Sequence, residues 1–428
     1  MPEYKKKKVR RMGAPRVKNK VRTIEHDDIE MKSSKPKKRE QKLPNNSVRV
    51  ITGKKLIRRR RMQTAAAVCV VLAIIISILQ FLSPVGVLEV SGNLLKTIGP
   101  GSYPIELYGT AVLNSATKFN YYYVLTDLQL NAISAGGKEI YSVSHGFTSP
   151  IMKTSETRAL IFDQNGSKLD IYNLNGLTSS VNTKNNILTA AIARNGTYAV
   201  VTEAPDYAAS ISVYDKNDVL LYEWYSAKDP VNNIAISPDG KKIAVTTLDA
   251  SDGALHSKLL VLGFDSANPV YSTDFSNSVV YSLENSADGF VVSTAQSFAH
   301  ITWDKYERKD YNSDRNLAFS RSTSSGTVLA FNRASNRADN HIVVFSKDGQ
   351  KTAEFDFNGI ISDIVMAKDH IYCISDTNVY FFDKQGNLLC STPCGFGAAR
   401  LAVISSNEVA VITNSEISRL ELIEKGKK

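Results

Sequence analysis

Two patterns of apolar and polar residues divide this chain. The first is a single apolar run, Met62–Leu82, which contains no Asp, Glu, Lys or Arg. Its centre, Ala65–Leu79, is apolar apart from Ser77. At about 1.5 Å rise per residue such a run predicts a transmembrane helix, matched to the roughly 30 Å hydrocarbon core of a bilayer. Ala73 falls at its middle, and Pro84 and Gly86 end it. The second pattern begins near residue 104, where helical periodicity gives way to short β-rich runs. Tyr121-Tyr122-Tyr123-Val124-Leu125, Ile243-Ala244-Val245-Thr246-Thr247 and His341-Ile342-Val343-Val344-Phe345 are examples. Many short strands without helices indicate a sandwich, a barrel or a propeller, and a fixed period decides among them.

A period is present. One class of turn separates a small-residue strand from a β-branched one, most clearly in Ile234–Val245 through Ser237-Pro238-Asp239-Gly240. Pro238 fixes φ, and Gly240 tolerates the positive φ of a tight hairpin. The same position recurs at Arg194–Thr197, Ala287–Phe290 and Ser324–Thr327, with weaker copies at Ser115–Thr117, Ser155–Thr157, Ala367–Asp369 and Ser405–Asn407. A second class of turn follows every copy but the last, as at Asp215–Asp218, Lys347–Gln350 and Asp383–Asn387. Two hairpin turns in a repeat of about 40 residues make four strands, the unit of a propeller blade. The last unit lacks its fourth strand, and an unplaced strand, Tyr103–Tyr108, precedes the first. The expected fold is therefore an all-β, eight-bladed β-propeller whose closing blade is shared between the two ends of the repeat region, since closure removes open edges. Seven blades is the alternative if the copy near Glu156 or Ser406 is not a blade.

The Ser237-Pro238-Asp239-Gly240-Lys241-Lys242-Ile243-Ala244 segment resembles the hairpin of TolB-like and WD40-like propellers, and the eight-fold layout resembles the quinoprotein-like type. Together with a basic tail and one apolar run, the chain resembles an uncharacterised family of single-pass membrane-anchored bacterial β-propeller proteins. The shared motifs are turn chemistry, which implies a fold and not an activity.

Charge sharpens the division. Residues 1–61 hold 23 Lys/Arg against 6 Asp/Glu, while the rest of the chain holds 29 against 36. The run Arg58, Arg59, Arg60 and Arg61 abuts the apolar segment, and basic flanks stay on the cytoplasmic side of a membrane. The expected organisation is a disordered basic cytoplasmic tail (1–61), a transmembrane helix (62–82), a linker (83–102) and an extracytoplasmic propeller (103–424). A cleaved signal peptide fits less well, because the Leu82-Ser83-Pro84-Val85 junction lacks small residues at the cleavage spacing. The corresponding localisation is the plasma membrane, single-pass, with the N-terminus inside. The bilayer itself and anionic lipid headgroups held by the tail are the expected first partners. An envelope protein or glycan is the expected ligand of the outer domain. Nucleic acid is disfavoured, since Tyr4 is the tail's only aromatic and stacking needs more.

Motifs for chemistry are not found. Only Trp224 and Trp303 are present, so a tryptophan-docking motif in every blade is excluded, and no cofactor is predicted. The six histidines never pair at ligand spacing. Asp and Asn clusters such as Asp215–Asp218 read as turn residues rather than calcium ligands. Cys390 and Cys394 are close enough in sequence for a short-loop disulfide, the alternative being separate thiols; Cys373 and Cys390 are expected on non-adjacent strands, too far apart to bridge. Tyr121–Tyr123 fit either a ligand groove or packing between blades. The leading function is thus a tethered, non-enzymatic binding or scaffold module, with the loops Glu203–Ser210, Leu248–Ser257 and Asn332–Asn340 rimming its surface. The alternatives are a cell-envelope polysaccharide hydrolase or lyase, and a transmembrane sensor signalling through the tail.

Overall fold

The computed structural model describes residues 87–250 and 253–423, with Arg61, Met62, 64–66, 68–71 and Ala73 before them. Among the described residues the β-rich runs form thirty-two strands in eight four-stranded sheets. Seven sheets are simple antiparallel meanders of consecutive strands. They are blade 1 (112–144), blade 2 (150–182), blade 3 (187–226), blade 4 (231–275), blade 5 (280–312), blade 6 (316–358) and blade 7 (361–393). Blade 8 takes Arg400–Ser405, Glu408–Ile412 and Glu416–Glu421 from the end of the repeats and Ile105–Glu106 from their start. Ile105 lies opposite Ile417 and Glu106 opposite Glu416. The expected shared closure and the count of eight are both observed.

First strands of successive blades pack on one another around the axis, and Val112–Thr117 against Arg400–Ser405 closes the ring. The core is not one mass but eight layers, one in each gap between blades. The closing layer sets Leu107, Val112, Tyr122 and Val124 against Ala402, Ala410, Ile412 and Ile417. Near the axis, where blades crowd, alanines such as Ala235 and Ala244 fill the layer. Farther out the gap widens and takes Phe290 against Trp303, ring centroids 4.6 Å apart. Each fully buried side chain of this size contributes roughly 1.5–3 kcal/mol by leaving water.

The turn chemistry is as expected in all but one position. Gly240 has φ of +69°, and the Ser237 hydroxyl donates to Asp239 at 2.6 Å and accepts from the Lys242 N–H at 3.0 Å. The exception is blade 1, where Ser115–Thr117 belong to the inner strand and the turn is Lys118–Asn120. Small residues there answer to crowding at the axis, not to a turn.

The expected membrane span is not upheld. Among the described residues no helix is long and apolar enough to cross a membrane. A span needs about 20 apolar residues in one unbroken helix. The helix Val87–Thr97, inside the stretch read as linker, has 11 residues and includes Asn93 and Lys96. Met62 and Ala73 are helical and exposed, while Leu82 lies outside the described residues. Arg61 is described and exposed; Arg58, Arg59 and Arg60 are not described, nor is the tail before them. The single-pass plasma-membrane localisation and the lipid partners rested on that span and lose their support with it.

Candidate functional site

An antiparallel meander sends its connections alternately to opposite ends. The first-to-second and third-to-fourth turns therefore emerge on one face, the turn face. The second-to-third hairpins and the links between blades emerge on the other, the hairpin face. All three loops expected to rim a binding surface lie on the hairpin face. Their strands run long, with eight residues in Tyr207–Tyr214, Lys242–Asp249 and His256–Gly263, and eleven in Asn336–Ser346. The equivalent strands of blades 1, 2, 5, 7 and 8 have five or six. The long hairpins belong to blades 3, 4 and 6, in one half of the ring. Tyr207 at the tip of blade 3 packs on Tyr225 at 4.9 Å, and both are exposed, as are Leu255 on blade 4 and Phe396 on the link into blade 8.

The channel mouth on this face has a repeated feature that sequence reasoning missed. In six blades the inner strand bulges near its start, leaving Leu113, Leu188, Asn232, Tyr281, Ala318 and Ser362 without a partner across the ladder. A bulge re-aims one side chain and bends the strand. Tyr281 is 60% exposed there, and the Asn232 side chain crosses from blade 4 to donate to the Val280 carbonyl of blade 5 at 2.6 Å.

Deeper along the axis, charges replace these residues. Arg321 on the inner strand of blade 6 donates through Nη1 to both oxygens of Asp363 on blade 7, 2.7 Å each. Its Nη2 donates to the Ser115 carbonyl of blade 1 at 2.8 Å. Asp363 also accepts from the N–H groups of Ile364 and Leu401, and the Ser115 hydroxyl donates to the Leu401 carbonyl. One side chain of blade 6 reaches blade 1, three positions on, and only the axis offers that path. Four blades are joined in this way. Glu284 of blade 5 accepts from the Ser322 N–H at 3.0 Å. Burial raises its pKa, while Lys153 of blade 2 and Arg321 oppose the rise. Lys118 donates to the Thr154 hydroxyl at 2.8 Å, and burial pulls its pKa down to about 8 against the opposing charge of Glu156. The axial carboxylates are thus already engaged by bonds or by neighbouring cations. A lone Arg or Asp inside a small-residue inner strand was the available signal, and turn-centred reading passed over it.

Other candidate residues are placed as follows. Tyr121, Tyr122 and Tyr123 are buried, packed between blades rather than lining a groove. Ser286, His300 and Asp288 include the residue types of a hydrolytic triad, but Ser286 and Asp288 both meet the same ring nitrogen, Nε2, at 3.0 and 3.1 Å. A relay needs the two on opposite nitrogens. Burial lowers the pKa of His300, which favours its neutral form, against the opposing charge of Asp288. His341 bridges Glu354 and Asp356 on the outer strand of blade 6. Among the described residues no group of three or more His, Cys, Asp or Glu is arranged to hold a metal ion. Cys390 is buried and Cys394 half-buried, and both are thiols in this structure; Cys373 and Cys390 sit on strands separated by a third.

Comparison with known proteins gives three results. A model of a family of unknown function, DUF5711, matches residues 114–422, well over half of the chain. No curated protein matches. Solved structures that match at low identity include the following propellers. The C-terminal WD40 domain of Sif2 is 10% identical, with 76% of this chain and all of that chain covered and a TM-score of 0.52. The dihydro-heme d1 dehydrogenase NirN in complex with DHE is 13% identical, covering 75% and 78%, at 0.51. BamB from Moraxella catarrhalis is 13% identical, covering 77% and 98%, at 0.48. Likeness at this level speaks to fold alone.

Proposed function

The chain belongs to this family of unknown function, and on that premise we propose that it is a binding or scaffold module, not an enzyme, which receives a polypeptide partner on the hairpin face. The observation that carries the reading is the asymmetry of the two faces. Long hairpins gather in blades 3, 4 and 6 on one face, and those of blades 3 and 4 carry exposed Tyr207 and Leu255 near their tips. Aromatic side chains of this kind supply large contact area at low entropic cost and are frequent anchors of interfaces. The rigid ring beneath holds them in place. Propellers as a class bind through such loop faces, and the neighbours above, a WD40 domain and a dehydrogenase, show why fold alone does not choose.

The test is site-specific photo-crosslinking. A photoreactive residue at Tyr207, Leu255 or Phe396 should give discrete protein adducts in cells. The same residue at Val219 or Leu388, exposed on the turn face, should give few. Equal labelling from both faces, or none from the first, overturns the proposal.

A further inference from the structure

Blade 8 is built short on its outer side. The other seven blades end in a fourth strand of five to eight residues. In blade 8 the fourth strand is Ile105–Glu106, two residues, laid against the six of Glu416–Glu421. The Leu107 N–H donates to the Ser415 carbonyl at 2.8 Å. With Ile105 opposite Ile417, this sets the phase of the edge: residues 415, 417, 419 and 421 turn their backbone groups outward, and the residues between them turn inward. Leu107 and Ile105 serve the first two. Arg419 and Glu421 face outward beyond the end of the short strand.

The chain leading into Ile105 does not run on beside them. Pro104 has no N–H to give, and Tyr103 packs on blade 1, where a Cβ on Gly137 would stand 2.8 Å from its ring. The Tyr103 hydroxyl is 3.0 Å from that of Tyr122. Between this segment and the exposed edge lies a groove of about 510 Å³, lined by Ser102, Tyr103, Gly136, Glu408, Arg419 and Glu421. Arg419 is ion-paired with Glu408. Glu421 is exposed and has no ion pair among the described residues.

We propose that this edge receives a strand from another protein. The partner is an extended peptide, antiparallel to Ser418–Glu421 and in line with Ile105–Glu106, bearing Lys or Arg beside Glu421. Main-chain bonds to Arg419 and Glu421 supply affinity, as when a peptide completes a sheet edge, and the exposed Glu421 carboxylate supplies selectivity. The site is separate from the hairpin face and stands or falls without it.

Hydrogen exchange of the full chain, followed by mass spectrometry on fragments covering 415–422, tests this. The probe is the peptide Ac-TVKVTV-NH2. Without it, the Arg419 and Glu421 amides should exchange rapidly; with it they should slow by about tenfold. The same peptide N-methylated at alternate residues should give no protection, and E421K should abolish protection by the lysine peptide but not by its glutamate counterpart. Protection already present in the chain alone overturns the proposal. If it is lost on removing residues 424–428, the chain covers its own edge. If it rises with protein concentration, a second copy does. Failure of the peptide to protect overturns it as well.

Discussion

Blade 4 and blade 8 are the same four-stranded object made in two ways. Blade 4 is one continuous stretch, folded by turns written into its own sequence. Gly240 takes φ of +69°, Ser237 and Asp239 bond the turn, and Asn195 of blade 3 donates to the Asp239 carbonyl at 2.9 Å. Blade 8 has no such local sufficiency. Its fourth strand arrives from more than 300 residues away in sequence, and its inner strand is held by Asp363 of blade 7 and Ser115 of blade 1, both bonded to Arg321 of blade 6. The contrast teaches that a ring of near-autonomous hairpins still needs a non-local fastening where its ends meet, and that the fastening here is polar and axial.

The comparison breaks most sharply at Arg321. Arg321→Ala leaves the Asp363 side chain, 7% exposed, without its cation, and should cost about 3–5 kcal/mol in chemical denaturation. Exchange should rise first in blade 8, and Arg321→Met combined with Asp363→Asn, which removes the buried charge and keeps an acceptor for the Ile364 and Leu401 N–H groups, should recover part of the loss. Blade 4 yields less. Gly240→Val forces a left-handed backbone and a Cβ 2.2 Å from the Asn195 side-chain nitrogen, which should cost about 1–3 kcal/mol, with exchange rising in blades 3 and 4 and not in blade 8.

A smaller effect separates pH from both. His300 of blade 5 is buried with its pKa below the ordinary 6.5. The unfolded chain therefore takes up a proton before the folded one does. The His300 contribution is complete well above pH 6.5 and should decline as the pH falls through and below it; in His300→Gln that part of the decline should be absent from thermal melts. The smallest expected effect is at the surfaces. Tyr207→Ser and E421K should each change stability by no more than about 0.5 kcal/mol. If either unfolds the chain, its residue belongs to the fold and not to a contact surface.

Much of the fold was legible in the sequence because turns are local. Pro238, Gly240 and their counterparts impose backbone angles by their own covalent structure, so the period, the blade count and the missing fourth strand could all be read without a partner. The hairpin positions within Glu203–Ser210, Leu248–Ser257 and Asn332–Asn340 were legible for the same reason, though much of each segment extends its strands rather than forming a loop. The membrane span was expected from an apolar run and its basic flank; more than half of the run lies outside the described residues, and among the described residues no helix is long and apolar enough to cross a membrane. Ser115–Thr117 were mistaken for a turn because small residues serve turns and crowded inner strands alike.

What the sequence determined by itself is the repeat: hairpin after hairpin, each specified by residues within a few positions of one another. What only the tertiary structure decided is everything measured across the axis or between the chain's distant parts. Arg321 met Ser115, the bulged residues lined one mouth, three loops shared a face, and two strands of unequal length left an open edge in blade 8. Turn geometry is a property of neighbouring dihedral angles. These contacts depend on the closure of the ring, which no local window of residues contains.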